Sequence, residues 1–296
     1  MCGGFAFLLV LSPSKVEMFG PIRKEKLDVL VKSLEKGSLV SEGLTRACKK
    51  TSKALDEVLE TIITEHEETT NVDKTSHEDF VDTLVTFMHQ NIDDGSEQNH
   101  NIDRSNMKAI LLDMIVASID TSAATIEWAL SKLLRHPRVM KKLQDEIQNE
   151  VGNKRMVEEK DLKKLNYLDM VVDETLRLHP VSPLLLPREC RESITIDGYF
   201  IKEKTRVIVN ALTIGHEEFE SIPFGFGRRR CPGIQLGLRT VRFVLAQLVH
   251  CFNWKLPYNI SPSNLNMDEK FGQSIHRAQH LHAIPIYRLE AHHKLE

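Results

Sequence analysis

Cysteine is scarce and scattered: Cys2, Cys48, Cys190, Cys231 and Cys251 are the only five, with no Cys-x-x-Cys among them. That excludes a structural zinc knuckle and a thioredoxin-type pair, and it suits a reducing compartment without disulfides. Charge of one sign is not in excess either. The 39 Lys and Arg against 42 Asp and Glu leave a formal charge of −3, which gives no pull toward nucleic acid. Long apolar runs are missing from the start of the chain. The stretch Phe5 to Leu11 is apolar, but a bilayer span needs about 20 residues. No basic residues precede it as they would a signal-peptide core. The reading expects neither a signal peptide nor a membrane anchor, and no other segment able to cross a bilayer. Residues 1–12 stay unassigned, the polar tail Ala291 to Glu296 is expected to be disordered, and no internal repeat is evident.

What the chain does have is helical periodicity. Leu27, Leu30, Val31 and Leu34 recur at helical spacing up to Gly37, and Leu55, Val58, Leu59, Ile62 and Ile63 do so before a polar stretch, His66 to Thr75. Ser76 is placed to cap a helix carrying Phe80, Leu84, Phe87 and Met88, with Glu78 and Asp79 in its first turn. The polar run Asn91 to Asn101 reads as a loop. Residues 104–135 are apolar on nearly every side, the pattern of a buried central helix. Pro137 opens another helix to Val151, and Pro180 ends one over 165–179. Short β-type runs follow at Leu184 to Leu186, Ile194 to Ile196 and Thr205 to Asn210, with a last strand near His282 to Tyr287. The expected fold class is mainly α with a small β-sheet.

The densest motif is Phe224-Gly-Phe-Gly-Arg-Arg-Arg-Cys-Pro-Gly233, just before a helix with Ile234, Leu238, Val241, Leu245, Leu248 and Phe252 on one face. Positive charge and a helix amino end both favour an ionised sulfur at Cys231. Gly225, Gly227 and Gly233 allow a tight bend and close approach to a flat ligand. A phosphate loop is disfavoured because no Gly-Lys-Ser/Thr follows. Arg228 to Arg230 is too short for the usual basic targeting run, and a buried structural thiol would not need so composed a loop. Thiolate ligation in a pocket of this kind is one of the few ways a protein holds haem iron.

Here the chain resembles a family. Phe224, Gly227, Arg229, Cys231 and Gly233 match Phe-x-x-Gly-x-Arg-x-Cys-x-Gly, the haem-binding loop of the cytochromes P450. Two further places agree in order along the chain. Ala117-Ser-Ile-Asp-Thr-Ser122 puts an acid and a hydroxyl, Asp120 and Thr121, inside an apolar helix. Thr121 can bond back to the carbonyl of Ala117 and open a polar notch. The resemblance implies that this pair relays protons for dioxygen activation. Ser118 stands where glycine is commonest, so a narrower notch is expected. Glu174-Thr-Leu-Arg177 matches the family's Glu-x-x-Arg, which implies a buried structural pair.

The resemblance implies more about the site. Cys231 would be the axial iron ligand, with Arg229 and Arg188 toward the haem carboxylates and Phe224, Gly227 and Gly233 shaping the loop. Val181, Leu184, Leu185, Ser274 and Ile275 would face an apolar small substrate. The cofactor would be haem b, iron-protoporphyrin IX, with electrons from NADPH through NADPH–cytochrome P450 reductase. The family works at the cytosolic face of the endoplasmic reticulum; without an anchor this chain is expected to be cytosolic. The reaction would insert one atom of dioxygen into the substrate, as in plant enzymes of secondary metabolism. The match is closest over 104–290, within a single domain over 13–296.

Family members are longer, and three pieces are expected to be missing. These are an N-terminal anchor, a Trp-x-x-x-Arg helix (neither Trp128 nor Trp254 has arginine four residues on), and a meander between Glu220 and Ser221. Residues 13–70 also read as early helices joined with a segment removed near Gly37 to Gly43. Losing one partner of a buried ion cluster costs about 3–5 kcal/mol. An inactive, truncated remnant with weak or no haem binding is therefore the alternative expectation.

Overall fold

The computed structural model describes residues 41–70, 79–90, 103–217, 222–257, 260–270, 272 and 274–289. It forms two compact units that divide between Ser118 and Ile119. The expected helix over 23–36, the loop 91–101 and the cap at Ser76 lie outside the described residues.

The first unit contains helices α1 (Ser41–Thr70) and α2 (Phe80–Gln90) and the first part of α3 (Arg104–Arg135). Its core is the apolar stripe of each: Leu59, Ile62 and Ile63, then Val81, Leu84 and Val85, then Met107 and Leu111. Steps of three and four residues set such side chains on one face. The α2 helix starts at Phe80, so its cap is Asp79. Oδ1 of Asp79 accepts from the backbone N–H of Val81 and Asp82, at 2.8 and 3.0 Å. Asp82 Oδ2 accepts from the N–H of Asp79 at 2.8 Å, which closes a reciprocal capping box. The buried ring of His66 reaches the same acid at 3.0 Å through Nε2, while Nδ1 donates to the Ile62 carbonyl at 2.7 Å. Arg104 ties α3 to α1 with a fork onto Glu60, Glu67 and Thr64.

The second unit holds the rest of α3, then α4 (Pro137–Val151), α5 (Asn166–Leu178), α6 (Ala211–Glu217) and α7 (Ile234–Cys251). Leu133, Leu143, Ile147, Leu165, Leu168, Leu245 and Val249 meet in its core. Proline at the start of α4 and at residue 180 sets the boundaries of α4 and α5 where the sequence predicts them.

The β-structure is four separate antiparallel pairs instead of one small sheet. They are β1 (Arg188–Glu189) with β4 (Arg206–Val207), β2 (Ile194–Ile196) with β3 (Tyr199–Ile201), β5 (Phe252–Lys255) with β8 (Ile284–Tyr287), and β6 (Glu269–Lys270) with β7 (His276–Arg277). Asp197 and Gly198, with φ of 48° and 83°, form the two-residue turn between β2 and β3.

Three expectations need correction. Leu184 to Leu186 is not a strand: Leu185 has φ of 49°, its N–H bonds to the Ser182 carbonyl, and extended pairing begins only at Arg188. A short apolar run cannot by itself tell a strand from a packed turn. The α3 helix is not buried all round. Ala124, Trp128, Ala129, Leu130 and Leu133 are buried, while Val116 and Ile119 are half exposed or more. Finally, α3 is long and apolar enough to cross a membrane by length and composition alone. Its three acids, Asp113, Asp120 and Glu127, are spaced seven residues apart along it.

Candidate functional site

The segment leading into α7 is folded by its own backbone. Gly225 N–H bonds to the Ile222 carbonyl, Cys231 N–H to the Phe224 carbonyl, and Arg230 N–H to the Gly227 carbonyl, all at 2.9–3.0 Å. Gly225 and Gly227 have φ of 71° and 70°, which side-chain-bearing residues rarely adopt. Phe224 turns inward against the core of the second unit, whereas Phe226 is 81% exposed. Cys231 carries a free, exposed thiol, and Arg228, Arg229 and Arg230 are exposed beside it in sequence. A Cβ on Gly233 would sit 3.9 Å from the Cys231 sulfur, so this glycine keeps the space beside it open. A Cβ on Gly225 would lie 3.5 Å from Leu185 Cδ1, so the loop abuts the turn that carries Leu184 to Leu186. Leu184 and Leu186 are themselves exposed.

A second cluster gathers on α3. Ile275 is held on both sides: its N–H donates to the Val181 carbonyl at 2.8 Å, and its carbonyl accepts from Trp128 Nε1 at 3.1 Å. Buried Arg277 donates to Ser131 Oγ at 2.8 Å and to the Asn266 carbonyl. Glu127 accepts the N–H of Leu281 at 2.6 Å. Asp120 is exposed, and its Oδ2 lies 3.1 Å from His276 Nε2. Thr121, next along the helix, is half-buried, and its carbonyl accepts from Thr125 Oγ1. The structure thus brings Val181 and Ile275 together and sets Asp120 against the neighbour of Ile275. Ser274 is half-buried in the same segment.

Glu174 and Arg177 form a two-pronged pair, with Nε and Nη2 each 2.7 Å from a carboxylate oxygen. The pair exists but is not buried as expected, since the Glu174 side chain is 53% exposed. The two residues share one turn of α5 near its end, where the acid projects toward solvent. Arg177 also reaches the Gly215 carbonyl of α6 at 3.4 Å. Arg188 is half-buried on β1, paired with Val207.

Sequence reasoning missed Trp128, His276, Arg277 and Glu127. Trp128 had a signal, being one of two tryptophans and the largest fully buried side chain. His276 and Arg277 belong to no motif.

The residues suit an iron porphyrin. A free exposed thiol is a donor that iron can take, arginines offer partners for carboxylates, and exposed Phe226, Leu184 and Leu186 offer apolar surface that wants a cover.

Comparison with known proteins agrees. The family model for cytochrome P450 matches residues 38–220 and 216–282. The two stretches meet where a missing meander is expected. Among curated proteins, the chain is 48% identical over 279 residues to cytochrome P450 CYP736A12 of Panax ginseng, covering 86% of this chain and 56% of that protein. It is 38% identical over 278 residues to desmethyl-deoxy-podophyllotoxin synthase of Sinopodophyllum hexandrum, covering 85% and 55%. It is 40% identical over 260 residues to germacrene A hydroxylase of Saussurea costus, covering 79% and 51%. The chain spans about half the length of the curated relatives it matches. On the strength of the matched family model and of these relatives, the chain belongs to the cytochrome P450 family.

Proposed function

We propose that this chain carries the haem-thiolate centre of a monooxygenase that inserts one atom of dioxygen into an apolar small organic molecule. The observation that carries the reading is Cys231: a free, exposed thiol in a loop bent by Gly225 and Gly227 at the head of α7, in a chain of this family. Relatives named as a hydroxylase and as amorpha-4,11-diene 12-monooxygenase support the class of reaction.

Haem b, when bound, would supply dioxygen activation, using electrons from NADPH through a reductase partner at the endoplasmic reticulum. The chain's own residues divide the remaining tasks. Cys231 holds the iron through its thiolate. Arg229 and Arg188 take the carboxylates, where a planar fork suits two oxygens. Phe224, Gly227 and Gly233 shape the loop. Asp120 and Thr121 hold and pass protons. Val181, Leu184, Leu185, Ser274 and Ile275 line the substrate side and exclude water. Glu174 and Arg177 brace α5 against α6 through the Gly215 carbonyl. Residues 13–296 act as one domain in this reading.

The test is the spectrum of reduced, carbon-monoxide-treated protein. The red-shifted Soret band of a thiolate-ligated haem is expected, and Cys231→Ala should remove it. Folded protein that takes up no haem would overturn the reading and leave an inactive member of the family.

A further inference from the structure

The segment 275–281 is strapped along one face of α3. Trp128 takes the carbonyl of Ile275, Ser131 takes Arg277, and Glu127 takes the N–H of Leu281. Asp120 stands two turns before Glu127 on that helix, since seven residues is close to a whole number of turns. The fourth attachment is His276 to Asp120. His276 is also fixed from behind, because β7 pairs with β6 at Lys270 and the neighbouring Ile275 N–H is bonded to Val181. The imidazole is therefore presented to the acid by a braced backbone, with its side chain 26% exposed against 55% for the carboxylate. Among the described residues Oδ2 of Asp120 is taken by His276, and no hydrogen bond engages Oδ1.

We propose that His276 is a positioning residue for Asp120. It donates Nε2–H to Oδ2 and so commits one carboxylate oxygen, leaving Oδ1 as the single oxygen available for proton traffic. This rests on the reading of Asp120 as a relay acid. An untethered carboxylate on an exposed helix face samples several rotamers, and ordering it costs side-chain entropy. A proton-transferring group must first be in the right place. An ordinary surface ion pair would add little to stability and would do nothing else. The two roles therefore separate by what they change.

The experiment uses the full chain and two readouts. In protein labelled at the histidine nitrogens, the NMR signal of His276, assigned by its loss in His276→Gln, should move in Asp120→Ala while the other histidine signals stay. This needs neither haem nor turnover, and a signal that does not move overturns the proposal. In haem-loaded protein showing the thiolate band, product formed per NADPH consumed should fall about 10-fold in His276→Phe, as expected for a misplaced catalytic group. His276→Gln, which keeps a donor, should restore most of it. Equal yield in His276→Phe and the parent protein overturns the proposal even if the bond exists. Loss of the thiolate band in the parent protein is a different outcome, because it removes the haem reading and leaves the NMR result standing.

Discussion

Trp128 and His179 stack face to face, with ring centroids 4.1 Å apart and planes 3° from parallel. Trp128 is completely buried, and the same ring donates Nε1–H to the Ile275 carbonyl. One side chain of α3 thus meets both the cap of α5 and the segment that carries Ile275 and His276. Trp128→Ala is expected to destabilise the second unit by about 3–5 kcal/mol, through the cavity and the lost contacts. Trp128→Phe keeps a ring and loses the donor, leaving the Ile275 carbonyl unpaired by that ring, so about 1–3 kcal/mol is expected. Urea unfolding followed by circular dichroism measures both. A cost below about 1 kcal/mol for Trp128→Ala would show that the stack is not what joins these segments.

The Glu174–Arg177 pair gives a sharper choice. A buried pair broken at one end costs about 3–5 kcal/mol. The geometry is two-pronged, yet Glu174 is more than half exposed, so screening by water governs. We expect Arg177→Gln to cost about 1 kcal/mol, and added salt to remove part of the difference. A loss of several kcal/mol, insensitive to salt, would mean the pair is covered in solution.

Asp161 offers a pH signature. The fork of Arg155, with Nη1 and Nη2 at 2.6 and 2.9 Å, pulls the Asp161 carboxyl down to about 2. Its folded value is below its unfolded one, so the stabilisation is complete above the unfolded pKa of about 4 and fades as pH falls toward 2. Because the Arg155 side chain is 39% exposed, water screens the pair and about 1–2 kcal/mol is expected. The stability gap between the parent protein and Asp161→Asn should be that large near neutrality and close as the pH is lowered through this window. A gap that stays constant would show that the ionisation of Asp161 is not what stabilises the fold.

What could be read from the sequence follows from which signals are local. The helices α4, α5 and α7 were legible because apolar residues recur at helical spacing and prolines mark their ends. The loop before α7 was legible because five of its residues belong to one motif. Asp79 was not singled out as a cap because Ser76 is equally suited by type, and only the backbone decides between them. The strap along α3 was invisible for a stronger reason. His276 meets Asp120 across 156 positions and Trp128 meets Ile275 across 147, and neither contact leaves a periodic trace. The half-exposed face of α3 at Val116 and Ile119 escaped as well, since an all-apolar helix carries no stripe to say which side is covered.

The glycines of the Cys231 loop divide by what each is for. Gly227 has φ of 70° and nothing within 4 Å of an added Cβ, so the whole cost of a side chain there is backbone strain. Gly227→Ala should destabilise by about 1–2 kcal/mol, and Gly227→Asn by less, because asparagine tolerates the left-handed region better. Gly233 has an ordinary φ of −88°, and its added Cβ would meet only the Cys231 sulfur, at 3.9 Å. Gly233→Ala should therefore leave urea stability unchanged while slowing alkylation of the Cys231 thiol by a bulky maleimide. If both variants destabilise alike, Gly233 is held by the backbone as Gly227 is. If Gly233→Ala leaves alkylation untouched, the thiol is reached from another side.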